Sequence, residues 1–387
     1  MKTALLVGGT AATGIAISAE LLARGFEVTI YHRGLHEVPE LNDMEHIHGD
    51  PHHETTIDRD LAGRHWDVTV ATYGRIRHLA AALRGRTGHF VSVSGTPVVG
   101  MQPGVPMRED FPCETAQHAP AGLRGLIAKI AQTEEAVLAA HTRGDFVSTV
   151  VRYPYVYGPH AVVPMEWHVI RRVLDARRRW IFQGAGLALQ GRCASPNAAR
   201  LVGLVLDQPQ RAGGEIYHAA DTRQYTQREW VELVAGAMNH EFQTVDIPAV
   251  ICALGRSAVP MAGEYNWVRA TDVDAGRLRH SLVSNEKARV QLGYEDAVTP
   301  ADWIRETVAH WLKSPPLVDG LSGRLGPADF DYAAEDRLLA WWDTVCAQAP
   351  DCGEPLARSH PYDHPTQASP ATPVKAPQHR HNAGSTP

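Results

Sequence analysis

The chain has 387 residues, a formal net charge of −6 and a charged fraction of 21%. That balance carries no bias toward nucleic acid, and no apolar run approaches the ~20 residues that cross a bilayer. Cys113, Cys193, Cys252, Cys346 and Cys352 are scattered without metal-ligand spacing, which reads as reduced thiols in a cytoplasm, and no charged-plus-apolar leader is read ahead of the first element.

The first predicted unit constrains the rest. Ala4-Leu5-Leu6-Val7 is a short apolar run, read as a buried parallel strand, and it enters the turn Gly8-Gly9-Thr10-Ala11-Ala12-Thr13-Gly14. From Ile15 to Gly25 apolar residues recur at helical spacing, and Phe26 to Tyr31 reads as a second strand. Strand, glycine turn, helix and strand at this spacing aim backbone N–H groups and a helix N-terminus at a phosphate. Gly8, Thr10, Ala11, Ala12, Thr13 and Gly14 are therefore candidate pyrophosphate contacts.

Alternation continues. Strands are predicted at Glu45–His48, Asp67–Thr72, His89–Ser94 and Phe146–Arg152, with helices at Arg75–Leu83 and Ala121–His141. This order predicts an α/β fold, a doubly wound parallel sheet of Rossmann type. Beyond Gly158-Pro159 the pattern breaks into helices at Glu166–Arg179 and Gln227–Met238, while Gly214–His218 is an extended piece that returns to the sheet. The expected organisation is a dinucleotide-binding core over residues 1–158 and a smaller substrate lobe over 159–349, interwoven with the last core elements. Residues 350–387, rich in Pro, His, Ser and Thr, are expected to form a disordered tail.

Further stretches sharpen this reading. Gly8, Ala11 and Gly14 occupy a Gly-x-x-Gly-x-x-Gly pattern; His48-Gly49-Asp50 follows the third strand; Phe90 to Gly100 forms a strand and loop. Gly125-Leu126-Ile127-Ala128-Lys129, with Glu134 or Glu135 behind it, and Arg152-Tyr153-Pro154-Tyr155-Val156-Tyr157-Gly158-Pro159 complete the set. Together they resemble the extended, epimerase/dehydratase branch of the short-chain dehydrogenase/reductase superfamily over roughly Lys2 to Leu312. The resemblance implies an adenine contact at Asp50 and a ribose contact at Lys129, with Tyr153 and Val156 near the nicotinamide. Ala71, Thr72 and Tyr73, at the end of the fourth strand, join the cofactor set. It also implies a small-molecule substrate and a homodimer.

The departures from the family pattern matter more. The tyrosine that passes a proton to substrate falls on Gly125, and the Ser/Thr position, counted back from Gly100, falls on Gly95. Ser94 and Thr96 flank the latter. Three readings follow. Lys129 acts alone, as in the branch resembling isoflavone and pinoresinol reductases; Tyr73, Tyr155 or His168 replaces the missing phenol; or redox turnover is gone and the domain binds a nucleotide as a sensor, scaffold or RNA contact. The leading function is an NAD(P)-dependent oxidoreductase acting on a carbonyl, enone or alcohol, with epimerase or dehydratase chemistry as a further alternative.

Cofactor choice rests on the end of the second strand. Tyr31, His32 and Arg33 stand there with no carboxylate before Glu37, and a guanidinium suits the 2′-phosphate of NADP, NAD being the alternative. Position Ala11 accepts a methyl only if its φ is not positive. His46, His48, His52 and His53 read as solvent-facing residues at a strand end and turn, so no metal site is expected. The run Arg171, Arg172, Arg177, Arg178 and Arg179 reads as a solvated helix face. Trp341-Trp342 is expected to pack against the body of the protein or a partner subunit.

Overall fold

The computed structural model describes residues 2–99, 105–113, 124–254, 258–261, 280–318, 325–351 and 353. Its core is built from β1 (Lys2–Val7), α1 (Ala12–Ala23), β2 (Phe26–His32), β3 (Glu45–His48), α2 (Glu54–Asp60), β4 (Trp66–Ala71), α3 (Ile76–Ala82) and β5 (Thr87–Gly95). They are followed by α4 (Arg124–Thr142), β6 (Val147–Tyr153), β7 (Tyr155–Tyr157), α5 (Glu166–Leu174), β8 (Arg179–Gln183), β9 (Leu189–Gln190) and β10 (Arg192–Ala194). Next come α6 (Ser195–Asp207), α7 (Pro209–Ala212), β11 (Ile216–His218), β12 (Tyr225–Thr226), α8 (Gln227–Gly236), β13 (Gln243–Ile247) and α9 (Ala249–Leu254). The last described helices are α10 (Glu286–Leu292), α11 (Pro300–Lys313) and α12 (Tyr332–Ala347).

Seven parallel strands form the main sheet in the order β11-β6-β5-β4-β1-β2-β3. Successive residues of a strand face opposite sides, and β1 shows the consequence. Ala4 and Leu6 join a core with Ile17 and Leu21 of α1 and Leu201 of α6. Leu5 and Val7 join the other core with Leu79 of α3 and Val137 of α4. Helices cover both faces, which is why the strands read as continuous apolar runs rather than alternating ones. The direction of winding reverses between β1 and β4, so the crevice at the carboxyl ends of those strands is where such a sheet takes a ligand.

The second half adds an aromatic-rich core of Trp167, Trp180, Phe182 and Trp230 on α5, β8 and α8. The predicted return of Gly214–His218 to the sheet is observed as β11, parallel to β6. The helix expected over Glu166–Arg179 is shorter. It ends at Leu174, Ala176 takes a left-handed φ of 56°, and Arg179 opens β8 beside β13.

The arginine run is a solvated face only at Arg171 and Arg178, which are exposed. Arg172 is buried and ion-paired with buried Glu335, while Arg177 pairs with Asp336 and Arg179 with Asp343, all three acids lying on α12. These contacts and the aromatic stack of Arg172 on Phe330 and Tyr332 hold α12 against the lobe. Trp342 packs beside Ile181, Ile247 and Leu339 as expected, whereas Trp341 is exposed. The first compact unit runs to Thr344. Beyond it the structure describes only residues 345–351 and 353, so the expected tail, Cys352 and its histidines fall outside the described residues, as do Gly100 and the expected first turn of α4 at 121–123. Among the described residues no helix is long and apolar enough to cross a membrane.

Candidate functional site

The turn after β1 is shaped by its glycines. Gly8 and Gly9 have φ of 95° and 119°, values that disfavour any side chain. A Cβ on Gly8 would lie 2.4 Å from Thr72 Oγ1, and one on Gly14 would lie 2.2 Å from Gly9 Cα. Ala11 has φ −112° and ψ 172°, extended backbone that tolerates its methyl, so the condition for alanine at the middle position is met. Of the amides at the start of α1, Ala12 N–H donates to the His160 carbonyl at 3.1 Å. Thr13 and Gly14 are the remaining amides in the first turn that a helix of this kind leaves without an intrahelical acceptor. Such amides are the donors with which a helix N-terminus holds an anion, so a dinucleotide phosphate fits this turn.

The end of β4 closes one side. Thr72 donates its backbone N–H and its hydroxyl to the Val7 carbonyl, which places Tyr73 beside Gly8. The Tyr73 ring meets His52 edge-on at 4.5 Å, and the exposed Arg33 guanidinium lies 5.7 Å from its centroid. Asp50 accepts the His52 backbone N–H at 2.9 Å, and that bond holds its carboxyl below the usual range. Arg33, Asp50 and Tyr73 thus gather at the β1–β4 crevice. His32 does not open to it freely: it is buried, with Nε2 2.9 Å from His46 Nδ1. His46 departs from the solvent-facing reading, because it is partly buried and converges with His32 and the exposed His48 on Glu37, whereas His52 and His53 turn to Asp50.

The catalytic candidates separate into distinct neighbourhoods. Ser94 Oγ donates to Glu134 Oε1. Glu134 in turn receives both arms of Arg152, Nε at 3.0 Å and Nη2 at 2.7 Å, with both side chains almost wholly buried. This clamp joins β5, α4 and β6, and it identifies Glu134 as the acid of the α4 motif. Arg152 also reaches the Glu109 carbonyl and Cys113.

Lys129 lies five residues before Glu134, about 140° around the helix. It is exposed, and its ammonium has no partner among the described residues. Gly125 is exposed too, with open space where its Cβ would be. Gly95 has φ −131°, and Thr96 is buried at the start of a short turn. Tyr153, at the end of β6, is buried with its hydroxyl unpaired, while Val156 packs against the sheet core.

Tyr155 is engaged at the start of α5. Its hydroxyl is 2.7 Å from the Val163 carbonyl and 3.1 Å from Glu166 Oε2, and it accepts the Met165 N–H at 3.0 Å. A phenol has one proton to give, and the carbonyl can only accept it. That proton goes to the Val163 carbonyl or to the Glu166 carboxyl. Complete burial pushes that carboxyl up to about 7, against the lowering effect of a hydrogen bond from Tyr155. His168, two residues further along α5, is buried on Phe330 and held neutral, its pKa lowered by burial to about 3. Neither the Glu134–Arg152 clamp nor the buried acid was foreseen; the only sequence signals were an acid behind the α4 motif and an arginine opening the β6 one.

No protein-family model matches this chain, and no curated protein matches it. Solved structures do. The dTDP-glucose 4,6-dehydratase from Streptomyces venezuelae with NAD bound is 19% identical, with 81% of this chain and 97% of that chain covered and a TM-score of 0.60. The UDP-glucose 4-epimerase from Thermus thermophilus with NAD is also 19% identical, covering 81% and 99%, at 0.60. The UDP-glucose 4-epimerase from Thermotoga maritima with UDP-glucose is 17% identical, covering 81% and 100%, at 0.63. At such identities the likeness is one of fold: the chain has the Rossmann-type fold of epimerase/dehydratase-type enzymes, in line with the resemblance read from its motifs.

Proposed function

We propose that the chain binds NADP(H) and catalyses hydride transfer to or from a small organic carbonyl, enone or alcohol. The observation that carries this is the turn after β1, where two left-handed glycines and a glycine pressed on backbone keep side chains out of the turn that leads to the Thr13 and Gly14 amides. Structures of the same fold hold NAD, which supports a nicotinamide dinucleotide. Thr13 and Gly14 would bind the pyrophosphate, Arg33 the 2′-phosphate, and Asp50 the adenine. Lys129, free of partners, would hold the ribose and pass a proton to the substrate oxygen. When bound, the cofactor supplies or accepts a hydride at its nicotinamide ring. Tyr153 and Val156 would bound that end, and the open space at Gly125 would admit substrate where a tyrosine stands in the family pattern.

Calorimetry with NADPH and NADH on wild type and Arg33→Ala tests the cofactor assignment. Losing a charge-assisted phosphate contact is expected to weaken NADPH by about 1.5–3 kcal/mol and leave NADH unchanged. Equal losses would remove the 2′-phosphate argument. Turnover by wild type and Lys129→Ala over a panel of carbonyls and alcohols tests the chemistry, with full activity in the variant excluding Lys129 as proton donor.

A second reading, nucleotide binding without redox turnover, is favoured by one feature. Ser94 is already bonded to Glu134, and Gly125 has no side chain to offer. Tight NADPH binding with no oxidation by any substrate tried would support it over the first.

A further inference from the structure

The carboxyl ends of β2 and β3 hold four side chains whose ligand atoms all lie within 4.8 Å of one another: His32, Glu37, His46 and His48. The strand register explains three of them. His32 is paired directly with His48, and His46 stands two residues earlier on the same face of β3. Glu37 folds back over them from the segment after β2.

The cluster combines one hydrogen bond between two imidazoles with longer contacts to the carboxylate, of a length that a shared ion would span. His32 Nε2 is 2.9 Å from His46 Nδ1 and 3.7 Å from Glu37 Oε1. His46 Nδ1 is 3.6 Å from Glu37 Oε2, and His48 Nε2 is 3.3 Å from Glu37 Oε1. The contacts to Glu37 exceed a good hydrogen bond. A tetrahedral zinc ion with bonds of 2.0–2.1 Å needs donors about 3.3 Å apart; the four separations given straddle that value, and every pair lies within 4.8 Å.

The tautomer of His46 is fixed in the required sense. Its Nε2 lies 2.9 Å from the Leu41 carbonyl, which only accepts. The proton is therefore on Nε2, and the Nδ1 lone pair faces the cluster. A backbone carbonyl on the distal nitrogen is the outer-shell support that metal-bound histidines carry.

We propose that His32, Glu37, His46 and His48 form a zinc site. Three imidazoles and one carboxylate suit zinc over calcium or magnesium, which take oxygen donors. Four protein donors complete the tetrahedron and mark the site as structural, without a position for substrate. His48 and Glu37 are exposed and give the ion an entry from solvent. The bound ion ties the segment that begins at Arg33 to the ends of both strands. It does not depend on the redox reading, because none of the four side chains is asked to touch substrate.

The test uses the untagged full-length chain, stripped with a chelator and titrated with zinc or cobalt(II). One equivalent of zinc is expected, and the cobalt form should show the intense visible bands of a tetrahedral site. X-ray absorption at the zinc edge should report three imidazoles and one oxygen. Glu37→Gln and His48→Ala alter exposed side chains, and each is expected to lower zinc affinity about 100-fold or more. His52→Ala should leave it unchanged. Zinc retained equally by the Glu37 and His48 variants would assign it elsewhere, for example to the histidines after residue 353, and overturn the proposal. A weak octahedral cobalt spectrum, or no zinc bound by wild type, would do the same.

Discussion

Single residues in the turn after β1 have opposite tolerances, and backbone geometry decides which. Ala11 sits in extended backbone, so Ala11→Gly removes a methyl that causes no strain and is expected to leave NADPH affinity within a factor of two. Ala11→Leu would fill the approach to the Thr13 and Gly14 amides, and calorimetry should show binding fall by at least tenfold. Gly14→Ala meets Gly9 backbone at 2.2 Å, a contact no rotamer relieves. It is expected to cost about 1–3 kcal/mol in denaturant unfolding and to abolish dinucleotide binding. Wild-type affinity in Ala11→Leu would move the pyrophosphate off this turn. These residues were legible in the sequence because turn chemistry is local. The cluster of His32 with His46 and His48 was not, since it depends on the register of β2 against β3, which no local pattern states.

Among the elements, α4 shows how a motif is legible while its orientation is not. Its periodicity and its place before β6 could be read directly, yet which acid turns inward depends on the packing of α4 on β5 and β6. Glu134 faces the sheet and takes Arg152 in a two-pronged buried pair. Glu134→Gln would leave the guanidinium buried without a counter-charge, and removing one partner of such a pair costs about 3–5 kcal/mol. Urea unfolding is expected to show a lower midpoint with an unchanged slope. Ser94→Ala, tested alone and with Glu134→Gln, should be non-additive, because the two side chains are directly hydrogen-bonded. A loss below 1 kcal/mol in Glu134→Gln would mean that solvent reaches Arg152. Arg172, Arg177 and Arg179 were misread for a related reason: their carboxylate partners are on α12, far along the chain.

At the scale of the whole molecule, buried ionisable groups set the pH range of the fold. Burial lowers His89 to about 4 and His168 to about 3. Below pH 6.5 the unfolded chain takes up protons that these native imidazoles refuse, so stability falls as pH drops through that window. Glu166 has the opposite sign. Burial raises it from 4.5 to about 7, and the native state keeps a proton that the unfolded chain releases. Its contribution is fully present below pH 4.5 and is lost as pH rises through about 7. Asp221, raised by burial to about 6, acts in the same direction over a lower range. The melting temperature should therefore pass through a maximum, with Glu166 shaping the descent above neutrality. Glu166→Gln isolates that limb, because the amide keeps a hydrogen-bonding group beside Tyr155 while nothing remains to ionise. Calorimetric scans from pH 4 to pH 8 should show the variant equal to wild type at the acid end and more stable by about 3 kcal/mol at pH 8. Parallel curves for the two proteins would show that Glu166 stays ionised in the fold.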